Sequence, residues 1–125
     1  MNPEKQAELM IRFSGCVYKD DANSYKESDC AGAAQLILRD YANITLPDDR
    51  TEWRTYFDFL EWPVELKEFD VLMLCCHNEF EVVDHVAVHI GNNYVVHFGR
   101  YTTGAMCHRM DRFQSRIINV ARYKK

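Results

Sequence analysis

The sequence predicts an α+β fold with an antiparallel sheet. Three observations carry this: helical periodicity through the first sixty residues, extended segments from Phe69 onward, and short connections throughout. At 125 residues the chain is expected to form one domain, 1–125, with a core that needs no metal or disulfide staple. Apolar residues make up 47% and charged residues 27%, as in globular proteins. No apolar run approaches a membrane span. The start carries Glu4 and Glu8 and lacks the apolar stretch of a secretory signal. The expectation is a protein made in the cytoplasm, without a membrane partner.

The elements follow in order. Asn2-Pro3 opens a first helix as N-cap and first helical residue, with Ala7, Met10 and Ile11 as its apolar stripe and an end near Ser14-Gly15. Residues 16–28 are polar and read as a loop. A second helix is capped by Ser28 or Asp29 and runs to about Tyr41; its alanines (Ala31, Ala33, Ala34) give it a small face that allows close approach. Leu46-Pro47-Asp48-Asp49 is a turn. A third helix, capped by Thr51, would bury Trp53, Tyr56, Phe57 and Leu60 along one face. The segments 71–76, 82–90, 94–98, 105–110 and 117–122 then read as five strands.

The net charge of −4 argues against nucleic-acid binding, but it is unevenly spread. Residues 1–98 hold 8 basic and 18 acidic residues, whereas residues 99–125 hold 7 basic residues and only Asp111. Such a tail either pairs with acidic segments of the same fold or faces an anionic partner. Five cysteines without framework spacing imply a reducing compartment of synthesis. Cys75-Cys76-His77 and Cys107-His108 lack the spacing of a tetrahedral metal site, so neither a metal nor a cofactor is expected. In a strand, Cys75 and Cys76 point to opposite faces.

Chemistry gathers at two places. Cys30 directly follows a helix cap, where unpaired N–H groups and the positive end of the helix dipole stabilise a thiolate. The hairpin DHVAVHIGNNYVVHFG supplies His85, His89 and His97. A two-residue Asn92-Asn93 turn would set His97 on the face opposite His85. A three-residue Gly91-Asn92-Asn93 loop pairs Ala87 with His97 and sets both imidazoles on one face, roughly 7–8 Å apart at Cβ. Asn93 tolerates the left-handed conformation that such a loop needs, which favours the second register. The small Ala87 would then let the alanine-rich helix bring Cys30 close.

These pieces resemble the NlpC family of papain-like cysteine hydrolases, bacterial and phage enzymes that cut peptidoglycan peptides. The resemblance spans roughly residues 13–100 and rests on Tyr18, Asp29-Cys30-Ala31-Gly32, Asp70-Val71-Leu72 and HVAVHIGNNYVVH. It implies a papain-like fold, with N-terminal helices on an antiparallel sheet of about five strands. It also implies catalytic roles: Cys30 as nucleophile, His85 as general base and acid, His97 as the group orienting His85, and Tyr18 beside the oxyanion. Asp29 would meet the free amine of a stem peptide, and His89, about 13 Å along the strand from His85, would line the substrate groove. The sequence departs from the family pattern at Ala31, Ala33, Asp20-Asp21 in place of a glycine pair, and Phe69 in place of a glycine. Ionising the thiol would add only a few-fold in rate, because a less basic thiolate is a poorer nucleophile. Proton delivery to the leaving amine is worth on the order of 10²–10⁴, so His85 matters chiefly as the acid. The expected function is hydrolysis of γ-D-glutamyl–diamino acid bonds, with peptidoglycan stem peptides as partner. Lacking an export signal or wall-binding module, the chain is expected to be a bacteriophage tail component alongside other tail proteins. The alternatives are a structural tail protein with vestigial activity, or an amidase or acyltransferase.

Overall fold

A computed structural model of the protein describes residues 1–77, 82–99 and 104–124. Helix α1 (Pro3–Arg12) starts as expected, with the Lys5 N–H donating to the Asn2 side chain and proline in the first turn. Its buried stripe differs from the expected one. Leu9 and Phe13 are fully buried, whereas Ala7 faces solvent and Ile11 is 73% exposed. The Phe13 ring packs on Tyr25 and Phe98, with centroids 4.8 and 6.3 Å away, and this fixes the rotation of the helix. Within the polar segment that follows, β1 (Val17–Tyr18) and β2 (Glu27–Ser28) form a short parallel pair with Tyr18 opposite Ser28. Helix α2 (Cys30–Tyr41) is capped by Asp29 and buries Gly32 through Leu38.

The expected third helix is instead a 3-10 turn followed by a strand. Arg50–Tyr56 form the turn, capped by Asp49 rather than Thr51; Asp49 accepts from the Thr51 N–H at 3.0 Å and the Thr51 hydroxyl at 2.7 Å. Phe57–Glu61 is β3, and Phe59 is 47% exposed, so Trp53, Tyr56, Phe57 and Leu60 share no buried helical face. Two constraints override the helical spacing. Trp62 precedes a proline, which disfavours helix there. The neighbouring β8 (Ile117–Tyr123) offers an edge on which residues 57–61 pair, from Phe57 opposite Tyr123 to Glu61 opposite Asn119.

The remaining strands are β4 (Val71–Leu74), β5 (His85–His89), β6 (Tyr94–His97) and β7 (Met106–Arg109). The six-stranded sheet has the order β3-β8-β4-β5-β6-β7, with every neighbouring pair antiparallel. The five expected strands are present, and β3 adds a sixth. One face, with Val71, Val88 and Val96, carries α1 and α2. The other, with Leu72, Ala87 and Val95, packs on Phe113 from a second 3-10 turn, Met110–Arg116. Asp70 is 2% exposed and takes both Nε and Nη2 of Arg122, at 2.9 and 2.7 Å, tying β4 to β8. At least this part of the basic C-terminal segment pairs within the fold; Arg100 and Lys125 lie outside the described residues. No described helix is long and apolar enough to cross a membrane.

Gly32 is where the polar segment meets α2. A Cβ there would lie 2.1 Å from the Ala22 carbonyl oxygen and 2.7 Å from Ser28 Oγ. Gly32→Ala should therefore cost about 1–3 kcal/mol by overpacking, read as a lower urea midpoint. An unchanged midpoint would show that residues 22–28 give way freely.

Candidate active site

Cys30 is the first residue of α2, and its position is set by Asp29. One oxygen of the Asp29 carboxylate accepts the Gly32 N–H at 2.7 Å; the other accepts the Asp21 N–H at 2.8 Å and Arg50 Nη1 at 2.6 Å. Burial alone would raise the pKa of Asp29, but Arg50 and the two N–H groups outweigh it and hold the carboxyl below its ordinary value. With both oxygens bonded and the residue 8% exposed, Asp29 caps the helix and anchors Arg50.

The Cys30 sulfur lies against strand β5, where the Val86 N–H points at it, with the Ala31 N–H on its helix side. The His89 N–H bonds Asp70 on the β4 side of β5, so strand alternation directs the Val86 N–H away from β4. The β5–β6 ladder pairs at Val88 and His89, so the Val86 N–H lies beyond it. Burial pushes the thiol above its ordinary pKa, and Asp29 adds to this; the two N–H groups and Arg50 offset part of the effect. The expectation of a stabilised thiolate is corrected here: desolvation outweighs the helix end.

The hairpin has the expected register, reached by a different route. Val88 faces Val96 and His89 faces Val95, which places Ala87 opposite His97. Asn92 and Asn93 form the tight turn, with φ of 53° and 64°, and Gly91, with φ of 91°, is an extra bulged residue before it. His85 Nε2 and His97 Nδ1 are consequently 2.9 Å apart, with the rings edge to face. His97 stacks on His108 at 5.1 Å and meets the edge of Phe113 at 5.0 Å. Both imidazoles belong to the Ala87 face, on the reverse of the sheet from α2. Ala87 therefore packs with Leu72 and Phe113 and does not make room for the helix; Val86 and Val88 meet α2.

Burial lowers the pKa of His85, with His77 adding to the shift and Asp84 opposing it. Burial, followed by His85, His108 and Arg112, pushes His97 down to about 3. Both rings are neutral near pH 7, so a single proton lies between them. His97 Nε2 is buried without a hydrogen-bond partner among the described residues. Tyr18 sits opposite Ser28, two residues before Cys30, and stacks on Phe98 at 5.9 Å. His89 is 5% exposed, and its Nδ1 lies 3.0 Å from the Lys67 carbonyl oxygen. It is an interior residue and not a groove wall. No disulfide joins the five cysteines, and no group of three His, Cys, Asp or Glu residues among those described is placed to hold a metal ion.

The sequence matches no family model and none of the curated proteins. Solved structures do match. The NlpC/p60 domain of the peptidoglycan hydrolase SagA aligns over 97% of both chains, with a TM-score of 0.64 and 13% identity. An NlpC/P60 family protein from Bacillus cereus aligns over 95% of this chain with a TM-score of 0.69 and 21% identity, and NlpC2 from Trichomonas vaginalis over 96% with 0.68 and 18%. This chain spans 40% and 46% of the length of those last two. The chain has the NlpC/p60 fold.

Within the NlpC/p60 fold, two departures from the family pattern keep the backbone that glycine would give. Asp21 has φ of 64° and Phe69 has φ of 71°, a region costly for a bulky side chain. The Asp21 N–H reaches Asp29, and the Phe69 N–H donates to the His89 carbonyl oxygen at 2.6 Å. The sequence reading missed Arg50, which also donates to the Ala22 carbonyl oxygen at 3.2 Å and lies over Trp53 at 5.5 Å. It also missed His108 and Phe113, which enclose His97. An arginine just after a turn carries no spacing signal, and His108 beside Cys107 offers the sequence only a metal-ligand pattern.

Depressed histidine pKa values set the direction of the acid response. The unfolded chain protonates its histidines near pH 6.5, whereas folded His97 does so only at about 3 and His85 also below its ordinary value. Their contribution is complete above pH 6.5 and drains away as the pH falls toward 3. The urea midpoint should drop between pH 7 and pH 4.5, and His97→Asn should flatten that drop. An equal slope in the variant would show that His97 titrates normally.

Proposed function

We propose that the protein is a cysteine hydrolase acting on bacterial cell-wall peptides. The observation carrying this reading is the bonded pair of neutral imidazoles whose His85 precedes Val86, the strand residue with its N–H toward the Cys30 sulfur. The NlpC/p60 fold supports it, since one structure with this fold is a peptidoglycan hydrolase.

In this reading His85 Nε2–H donates to His97 Nδ1, leaving His85 Nδ1 as the acceptor of the thiol proton around the open edge of β5. Sulfur attacks the carbonyl carbon, the S–C bond forms, and the oxyanion is held by the Cys30 N–H and the Tyr18 hydroxyl. His85 passes the proton to the leaving amine as the C–N bond breaks. Water, deprotonated by His85, then cleaves the thioester and restores the thiol. His97, enclosed by His108 and Phe113, holds the ring and tautomer of His85 without adding charge. The bond is taken to be the γ-D-glutamyl link to a diamino acid. The setting carried from the sequence is a phage tail, which finding this chain in purified virions would support and its absence from them would remove.

Digestion of purified muropeptides, read by mass spectrometry, tests both activity and bond. Cys30→Ala should abolish cleavage, and His85→Ala should lower it by about 10²–10⁴. His97→Ala should cost less, and equal losses in the two histidine variants would overturn the ranking of their roles. Cleavage that survives in Cys30→Ala would overturn the reading itself.

The protonation states also predict a broad pH profile. The acid limb of kcat/KM should fall below pH 6.5, because burial lowers His85, and the alkaline limb above the ordinary thiol value of about 8.5, because burial raises Cys30. A narrow bell centred near pH 7 would show that the thiol ionises early.

A further inference from the structure

Beside the Cys30 centre, α2 and β3 stand apart and leave an open groove of about 270 Å³. Ala31 and Ala34 form its helix wall, Trp53 and Phe57 the opposite wall, and Met73 and Val86 its floor. Methyl groups facing large rings leave the space unfilled, and the surface is apolar along almost its whole length. Phe59, 47% exposed, also lines it.

Two features tie this groove to the thiol. Ala31 directly follows Cys30, and Val86 directs its N–H at the sulfur. Among the described residues, the charged members of the lining are Arg54 and Arg50, the latter held by Asp29. An acyl group whose carbonyl sits at the sulfur could thus extend an apolar body along the groove, with its oxygen facing the N–H groups beside the sulfur. At about 30 Å³ for each water-sized group, the space holds about nine heavy atoms. Aliphatic side chains are smaller than this, and a polar stem peptide gains little from an apolar wall.

We propose that the groove is an acyl-chain subsite of the Cys30 centre, taking an unbranched apolar acyl group of about eight carbons. This rests on the reading of Cys30 as nucleophile and adds a second substrate class at the same sulfur. The acyl group moves from an ester or amide to sulfur, the S–C bond forming as the C–O or C–N bond breaks. The thiol proton leaves with the alcohol or amine, and water then releases the carboxylate and returns a proton to sulfur.

Calorimetric titration of Cys30→Ala protein with acetate, butyrate, hexanoate and octanoate tests the groove apart from the chemistry. Affinity should rise about two- to fourfold per methylene up to octanoate. Adding Ala34→Met, which fills the groove from the helix side, should weaken octanoate at least tenfold. Phe59→Ser should weaken it several-fold and covers the case in which Ala34→Met fails to fold. Ile11→Ser, on the far exposed side of α1, should change nothing. No dependence on chain length, or unchanged octanoate affinity in a folded groove variant, would overturn the subsite. The nucleophile is read separately from hydrolysis of p-nitrophenyl octanoate by the unsubstituted protein. Octanoate binding without Cys30-dependent turnover would overturn the acyl-transfer step, whereas muropeptide cleavage without octanoate binding would overturn the groove and leave the hydrolase reading standing.

Discussion

The Asp29 carboxylate is the point on which the candidate site hangs. It caps α2 through the Gly32 N–H, holds the polar segment through the Asp21 N–H, and anchors Arg50 from the 3-10 turn. Three separate pieces of chain are thereby fixed to the residue before Cys30. A buried carboxylate is tolerated because every oxygen has a strong donor. Removing it would free the helix start, leave Arg50 with only the exposed Asp21 carboxylate 3.8 Å away, and let the thiol move relative to the strand it faces.

The second constraint is the division of the sheet into two faces. Helix α2 covers one face and the imidazole pair lies on the other, so neither side alone assembles the groups. The Val86 N–H that faces the thiol lies at the opening of β5 beyond its pairing with β6. That opening depends on where β6 ends, and the register of β6 depends on one bulged glycine before a turn of two asparagines. A slip of one residue would send His97 to the helix side and break the bond to His85.

Burial sets the protonation states throughout. It keeps both imidazoles neutral and the Cys30 thiol protonated, against the pull of the helix end and of Arg50. A neutral pair suits the energetics, because early ionisation of a thiol yields little net rate while a well-placed proton yields much. The backbone shows a similar trade. Asp21 and Phe69 keep a left-handed conformation without glycine, and each contributes an N–H that holds the site's surroundings in place.

The sequence by itself determined the elements with strong local chemistry: the Asn2-Pro3 helix start, the Asp29 cap ahead of Cys30, the five strands, and the hairpin register that sets His85 beside His97. Each of these is fixed by side chains that bond or bend the backbone within a few residues. Tertiary structure decided the rest. The segment 57–61 has a helical spacing but became a strand because β8 had an edge to fill. The burial of Leu9 in place of Ile11 followed from the fit of Phe13 between two rings. Only the folded chain could place Arg50 on Asp29, close His97 in with His108 and Phe113, and bury His89. Those contacts join residues far apart in sequence, and desolvation, which set the thiol and imidazole pKa values, exists only once the surrounding layers have packed.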